Sequence, residues 1–165
     1  MSKAPIPEPG AIPEPGEGKR GEEGYLGYLL RQAAAAHRHR MEKALADLSI
    51  TPPQFAVLTM LRAYPGHSNA DLARLALLTP QTVSLIVANL ERAGFIWRRR
   101  HEVHGRIQHL ELTEGGAALL GEATARAREL ERDLAAGLDP AEEGAIRRWL
   151  ASAAKERRPG KRTVA

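Results

Sequence analysis

The sequence contains no cysteine, and only 4% of its 165 residues are aromatic. Without cysteine, the chain holds neither a disulfide framework nor a thiol redox sensor. It has no apolar run that approaches the roughly 20 residues of a membrane-spanning helix. The N-terminal stretch MSKAPIPEPGAIPEPGEGKRG lacks the apolar core of a signal peptide. We therefore expect a cytoplasmic protein that has no membrane partner.

Alanine and leucine supply most of the hydrophobic residues, which make up 43% of the chain. This mixture favours helices over sheets. The length is enough for one core and leaves little room for a second. A formal charge of +4 allows a polyanionic partner without proving one, so the position of the charge along the chain matters more than its sum.

The two ends of the chain have the composition of unfolded segments. Residues 1–20 contain the repeat IPEPG at 6–10 and again at 12–16. Proline, glycine and glutamate bury too little apolar surface to offset the entropy of ordering, so we predict that residues 1–20 form a disordered arm. The basic residues 156–165 are predicted to form a flexible tail.

Long helices are predicted on either side of the middle of the chain. Apolar residues recur at helical spacing from Gly24 to about Leu48, in a stripe wide enough to need cover from a partner chain. After the middle, Thr113 and Asp139 are the predicted N-caps of two further helices. Residues 21–50 and 114–155 are therefore predicted to be helical.

Three shorter helices are predicted between these long ones. Thr51 is the expected N-cap of the first, with Gln54 closing a capping box, and Ser68 or Asn69 caps the second. The third begins at Thr79, followed by Pro80 at the first helical position, and Gly94 ends it in a left-handed conformation.

One face of the third short helix lacks acidic residues until Glu91. Its opposite face carries the apolar residues Val83, Ile86, Val87 and Leu90. The acid-free face consists of Gln81, Ser84, Leu85, Ala88 and Arg92, with Thr82 and Asn89 on its flanks. Small hydrogen-bonding side chains suit the base edges of a major groove. An ordinary solvent-exposed surface is the alternative interpretation.

The stretch FIWRRRHEVHGRIQHLELT, residues 95–113, concentrates positive charge. It contains Arg98, Arg99, Arg100 and Arg106 together with three histidines. Alternation predicts two strands, 95–101 and 106–112, joined by a turn at Gly105. The arginines of such a ribbon suit phosphates, and one at the tip suits the minor groove. A solvated ribbon is again the alternative.

Two helices followed by a basic hairpin predict a winged helix-turn-helix over residues 51–113. The fold class is therefore mainly α with a small β-hairpin wing, flanked by N- and C-terminal dimerisation helices. The chain resembles the MarR family of bacterial transcription regulators over about residues 24–155. The resemblance rests on LSITPPQFAVLTML, on LARLALLTPQTVSLIVANLERAGFIWR, and on LTEGG after the ribbon.

The resemblance implies a homodimer formed by the first and last helices, so that residues 21–50 and 114–155 would form a helical dimerisation region. It also implies binding to palindromic, double-stranded operator DNA, usually as a repressor that a small aromatic ligand or an oxidant releases. The recognition helix would be residues 80–93, and Arg98 and Arg106 match family arginines at the end of the first wing strand and in the minor groove. The family's Asp-x-Arg at the wing tip is replaced here by His104-Gly105-Arg106.

The DNA-binding residues are predicted from the sequence pattern and from the family resemblance together. Gln81, Thr82, Ser84 and Leu85 match the groove-facing positions of the family. The full set is Thr79, Gln81, Thr82, Ser84, Leu85, Arg98, Arg99, Arg100, His104 and Arg106. A nonspecific architectural DNA-binding protein is the alternative function.

An effector pocket in this fold would lie between the dimerisation helices and the DNA-binding lobe. Tyr28, His37, Phe55 and Trp97 are candidate lining residues, with a core role as the alternative for each. No histidine pair has the spacing of metal ligands, so no metal or other cofactor is expected. No nucleophile stands at catalytic spacing from a base, so we expect no enzymatic activity.

Overall fold

The computed structural model describes residues 11–100 and 108–155, with the backbone alone for Arg99, Arg100 and Gln108. It confirms the predicted fold class, since helices dominate and the only sheet in the described residues is one antiparallel hairpin. Two short 3-10 helices span Gly18–Arg20 and Ala46–Leu48. The other elements are α1 (Leu26–Leu45), α2 (Pro52–Ala63), α3 (Asn69–Ala76), α4 (Pro80–Arg92), β1 (Ile96–Arg100), β2 (Gln108–Leu112), α5 (Glu114–Ala135) and α6 (Pro140–Ala153).

The helices begin at caps that the sequence predicts. The Thr51 hydroxyl accepts a hydrogen bond from the Gln54 backbone N–H, and the Gln54 side chain accepts one from the Thr51 N–H. Ser68, rather than Asn69, caps α3 and forms a second reciprocal pair with Asp71, and Asp139 and Glu142 form a third at α6. Such caps satisfy backbone donors that have no partner inside the helix.

The predicted winged helix-turn-helix has one apolar core. It is built from α2, α3, α4, the hairpin and the first turns of α5. The predicted apolar stripe of α4 is confirmed, because Val83, Ile86, Val87 and Leu90 are all buried. In the hairpin Ile96 lies opposite Leu112, and Arg98 lies opposite Leu110. Burying Ile96 and Leu110 holds the base of the hairpin against the helices.

A second, smaller core joins α1 to α5. Its buried members are Met41, Leu45, Ile50 and Ala123. Phe55 of α2 packs against both cores and so connects them. Nearby, Arg126 of α5 donates to the carbonyl oxygen of Ala44 at 2.9 Å and to the carboxylate of Asp47. The hydrogen bond from Arg126 lowers the pKa of Asp47 below its ordinary value of 3.8.

The structure describes residues 11–20 of the predicted disordered arm, whose disorder stays a prediction. Arg20 is the last residue of a short 3-10 helix, and its carbonyl oxygen accepts a hydrogen bond from Gln32 Nε2 of α1 at 2.9 Å. Residues 1–10 and the predicted tail at 156–165 lie outside the described residues.

An apolar groove lies uncovered between the N-terminal end of α1, the C-terminal end of α5 and α6. The groove has a volume of about 440 Å³, and no residue of α6 is buried. Its apolar lining includes Leu26, Leu29, Leu30, Leu134, Ile146 and Trp149.

None of the described helices is by itself long and apolar enough to cross a bilayer. Two bent pairs of helices meet the criteria of length and composition only when they are taken together. These pairs are Leu26–Leu48 with Pro52–Ala63 and Asn69–Ala76 with Pro80–Arg92.

Candidate nucleic-acid interface

The predicted groove-facing residues lie on one outward face of α4. Gln81, Ser84 and Leu85 are exposed, and Thr82 on the flank is half-buried. Leu85 stands out because 64% of this apolar side chain is exposed in the middle of the face. The buried stripe on the opposite side of the helix sets this orientation, so the face is a consequence of how α4 packs.

Two threonine hydroxyls sit at the start of α4. The Thr79 hydroxyl accepts a hydrogen bond from the Thr82 backbone N–H at 3.1 Å, and the two hydroxyl oxygens lie 2.8 Å apart. This arrangement places two hydroxyls at the N-terminal end of the helix, next to Gln81 in the sequence. Hydroxyls and side-chain amides can bond to phosphate oxygens or to base edges.

The first acidic residue on α4 is held by the wing. Arg98 Nε of β1 donates to both carboxylate oxygens of Glu91, at 3.2 and 3.0 Å. On the same helix, Arg92 Nη1 donates to Asn89 Oδ1 at 3.1 Å. The structure thus pairs Arg98, predicted as a DNA contact, with Glu91. The charge of Glu91 is offset where it would otherwise repel a phosphate.

The hairpin divides its residues between two faces. Arg98 shares the core-facing side with Ile96, whereas Trp97 lies on the other side, opposite Glu111, and is 47% exposed. Arg99 and Arg100 continue the backbone of β1. The predicted contacts His104 and Arg106 lie outside the described residues.

Leu77, in the turn between α3 and α4, was not among the predicted site residues. It adopts a left-handed conformation, with φ of +56°, and 91% of its side chain is exposed. A left-handed conformation is unfavourable for a leucine because its Cβ crowds the backbone. A leucine gives no signal of a left-handed conformation. Only the shortness of the connection between the two helices could have suggested a positive φ at this position.

Asp71 caps the start of α3 together with Ser68. The Ser68 hydroxyl donates to Asp71 Oδ2 at 2.6 Å, and Arg74 donates to the other carboxylate oxygen. The hydrogen bond from Ser68, followed by that from Arg74, lowers the pKa of Asp71 to about 2. This carboxylate therefore stays charged over the whole neutral range.

The four candidate effector residues are spread over different surroundings. Tyr28 has the guanidinium carbon of Arg31 6.0 Å from its ring centroid, His37 is half-buried on α1, and Phe55 packs between the two cores. Trp97 lies on the outer face of the hairpin. None of the four lines the apolar groove.

Thr59 of α2, one helical turn after Phe55, is a further residue that the sequence did not single out. Its hydroxyl oxygen is buried and has no hydrogen-bond partner, alone among side-chain polar atoms in the described part of the chain. An unsatisfied buried hydroxyl is costly and is therefore of interest as a ligand contact.

Across residues 11–100 and 108–155, no group of three or more histidines or acids could hold a metal ion.

Comparisons with known proteins agree with this geometry. Residues 50–107 match the model of the MarR family. The chain is 37% identical over 125 residues to the HTH-type transcriptional repressor Rv2887 of Mycobacterium tuberculosis, which covers 76% of this chain and 90% of the relative.

Two solved structures are similar in fold and sequence. One is Rv2887 of Mycobacterium tuberculosis in complex with salicylic acid, with a TM-score of 0.66, 35% identity, and coverage of 80% of this chain and 98% of that one. The other is the transcriptional repressor CouR bound to a 23-mer DNA duplex, with a TM-score of 0.72, 28% identity, and coverage of 81% and 94%. This chain belongs to the MarR family of transcriptional regulators.

Proposed function

We propose that two copies of this chain form a dimer that binds double-stranded operator DNA and represses transcription. One observation carries the proposal: the outward face of α4 exposes Gln81, Ser84 and Leu85 with no acidic residue before Glu91, and the arginine-rich strand β1 follows the helix directly. Gln81, Thr82 and Ser84 would read base edges, with Thr79 at the helix start. Arg99, Arg100, His104 and Arg106 of the wing would contact phosphates or the flanking minor groove.

The apolar groove supports the dimer. Trp149 and Leu150 of α6 are more than two-fifths exposed, as are Leu30 of α1 and Leu134 of α5. So much apolar surface in one place is typical of an interface. A second copy would cover it and hold the two α4 helices about one turn of DNA apart. The relative CouR, bound to a DNA duplex, supports the same use of the fold.

A small aromatic acid is the effector that we propose. The relative Rv2887 is known in complex with salicylic acid. In this chain the Phe55 ring and the unpartnered Thr59 hydroxyl, both on α2, offer an apolar face and a polar contact. Tyr28, His37 and Trp97 stay predictions for the same role. The effector would release the DNA if it bound more tightly to a dimer in which the distance between the two α4 helices does not match successive major grooves.

We also propose that the protein has no catalytic activity. The Thr79 and Thr82 hydroxyls lie against each other, and each described hydrogen bond of this pair is to backbone or hydroxyl groups. Activation of a hydroxyl nucleophile requires an adjacent base.

Because operator DNA in bacteria is cytoplasmic, we place the working dimer in the cytoplasm.

The test is a mobility shift with the DNA upstream of the protein's own gene. We expect a shift that survives an excess of scrambled DNA, and a loss of that shift when salicylate is added. Gln81→Ala should change base preference, whereas Arg106→Ala should weaken binding to every sequence and reduce the salt dependence. A shift that scrambled DNA erases would instead indicate a nonspecific architectural protein.

A further inference from the structure

The helix α4, which the structure describes in full, carries no lysine or arginine before its last residue. Arg92 is its one cationic side chain, and it lies about 10 Å beyond Leu85 along the helix axis. Arg92 Nη1 donates to Asn89 Oδ1 at 3.1 Å. Guanine shows two acceptors, N7 and O6, in the major groove, and a bidentate arginine or lysine is its commonest partner. The centre of the outward face therefore lacks the side chain that best recognises guanine.

Gln81 offers a donor and an acceptor to the same face. Its side chain is exposed, and its amide has no hydrogen-bond partner in the part of the chain that the structure describes. Adenine is the only base that shows both an acceptor, N7, and a donor, the N6 amino group, in the major groove. A glutamine amide bonds to both at once. Gln81 is therefore suited to adenine.

Leu85 lies one helical turn after Gln81 on the same face, and 64% of its side chain is exposed. The methyl group of thymine is the apolar feature of the major groove. Cytosine in place of thymine would put an amino donor against Leu85, and guanine would put two acceptors there. Polar groups that lose water without gaining a partner are costly. Leu85 therefore disfavours both bases of a G·C pair.

The distance between Gln81 and Leu85 limits the distance between the bases that they can contact. Four residues of helix advance about 6 Å along the axis. Successive base pairs are about 3.4 Å apart. The two side chains can therefore reach bases that are one or two base-pair steps apart. Ser84, exposed between them, has a hydroxyl that bonds to donors and acceptors alike and so discriminates little.

We propose that α4 selects a half-site with A·T pairs at its centre. Gln81 bonds to an adenine, and Leu85 packs on the methyl group of a thymine within two base-pair steps of it. The inference rests on the proposed function, because it assigns bases to the helix that is proposed to enter the major groove. It deepens that function by naming the bases that the helix accepts and by excluding G·C pairs from both positions.

The test is selection of bound duplexes from a randomised DNA library by the full chain at low salt, followed by sequencing. We expect each half-site to contain an adenine and a thymine within two steps, each preferred over guanine and cytosine by about tenfold. Leu85→Arg introduces a bidentate donor and should change the thymine position to guanine. Gln81→Glu leaves only acceptors and should change the adenine position to cytosine. Both side chains are exposed, so neither variant disturbs a core.

Leu77→Arg is the control, since it makes the same change as Leu85→Arg at an exposed leucine outside α4. It should leave the base preference at every position unchanged. A selected half-site without an adenine and a thymine within two steps would overturn the inference, whether or not the variants bind. Variants that keep the preference of the unaltered chain, or that alter positions further apart, would overturn it too, although the sequence-specific regulator stands. If the unaltered chain enriches no sequence, the proposed function itself is wrong.

Discussion

Glu91 of α4 and Arg98 of β1 join the proposed recognition helix to the wing. Arg98 Nε contacts both carboxylate oxygens of Glu91, at 3.2 and 3.0 Å, and both side chains are 38% exposed. An ion pair with that much solvent access contributes little to the free energy of unfolding. It nevertheless connects β1 to α4, in addition to the packing of Ile96 and Leu110 in the core. We therefore infer that Arg98 positions the wing rather than binding a phosphate itself.

Neutral variants of this pair distinguish the two roles. If Arg98 positions the wing, Glu91→Gln and Arg98→Gln should each weaken operator binding several-fold, and the double variant should be no weaker than either. The salt dependence of binding should not change. A phosphate contact would give a different result: Arg98→Gln alone would lower the slope of log K against log salt by about one, and Glu91→Gln would not weaken binding.

Leu85 is expected to recognise thymine. It is an apolar side chain, 64% exposed, in the centre of the face that we assign to the major groove. The thymine methyl group is the apolar feature of that groove. Replacing operator thymines one at a time with deoxyuridine, which lacks the methyl group, should weaken binding about three- to tenfold at one position per half-site.

The control for this prediction is the same DNA series with Leu85→Ala. If Leu85 contacts the methyl group, the variant should bind thymine and deoxyuridine at that position almost equally, because the effects of the two changes are coupled. An equal loss for both proteins at every position would show that Leu85 does not recognise thymine.

Much of this architecture was predictable because its causes are local. Thr79 before Pro80 and Asp139 before Glu142 each mark a helix start within four residues, and the structure has both caps. The stripe from Val83 to Leu90 needs only the period of a helix to be assigned to the core. Each of these features depends on neighbours within one or two helical turns.

The features that were not predicted depend on contacts between elements. The pairing of Arg98 with Glu91 requires the angle between β1 and α4, which no spacing reveals. The hydrogen bond from Gln32 of α1 to the carbonyl oxygen of Arg20, twelve residues earlier, likewise has no signal in the composition of the N-terminal segment. The left-handed conformation of Leu77 follows from the packing of α3 against α4, against the preference of the residue itself.

Leu77→Gly should stabilise the protein. The left-handed conformation of Leu77, with φ of +56°, is unfavourable for leucine and free for glycine. Allowing for the greater entropy of glycine in the unfolded chain, we expect the free energy of unfolding to rise by about 0.5–1 kcal/mol. Urea denaturation measures this change. Leu77→Ala removes the same exposed side chain but keeps Cβ, so it should show no such gain.

Stability in acid should depend on Asp71. Its pKa is lowered from the ordinary 3.8 to about 2, first by the hydrogen bond from Ser68 and then by that from Arg74. A carboxyl group whose folded pKa is depressed stabilises the protein above its unfolded pKa and loses that contribution as the pH falls. The loss attributable to Asp71 should therefore lie between about pH 4 and pH 2.

Thermal midpoints between pH 6 and pH 2 check this expectation. Asp71→Asn should show a shallower fall below pH 4 than the unaltered chain. Ser68→Ala removes the largest cause of the shift and should move the transition toward higher pH. Identical profiles for the unaltered chain and Asp71→Asn would contradict the assignment.

Thr59→Val tests the proposed effector contact. The Thr59 hydroxyl is buried without a hydrogen-bond partner, whereas valine has nearly the same shape and no polar atom. Removing an unsatisfied buried hydroxyl should raise the free energy of unfolding by about 1 kcal/mol. If an aromatic acid bonds to this hydroxyl, the same variant should bind DNA normally and need at least about tenfold more salicylate for release.

Thr124→Val is the matched control, because it makes the same chemical change on α5. The Thr124 hydroxyl donates to the carbonyl oxygen of Leu120 at 2.6 Å and accepts from Arg62 at 3.5 Å. Because its hydroxyl has partners, we expect this variant to lower the free energy of unfolding by about 1 kcal/mol. Opposite signs for the two variants in urea would confirm that the Thr59 hydroxyl is unsatisfied. A stabilised Thr59→Val that still responds normally to salicylate would place the effector elsewhere.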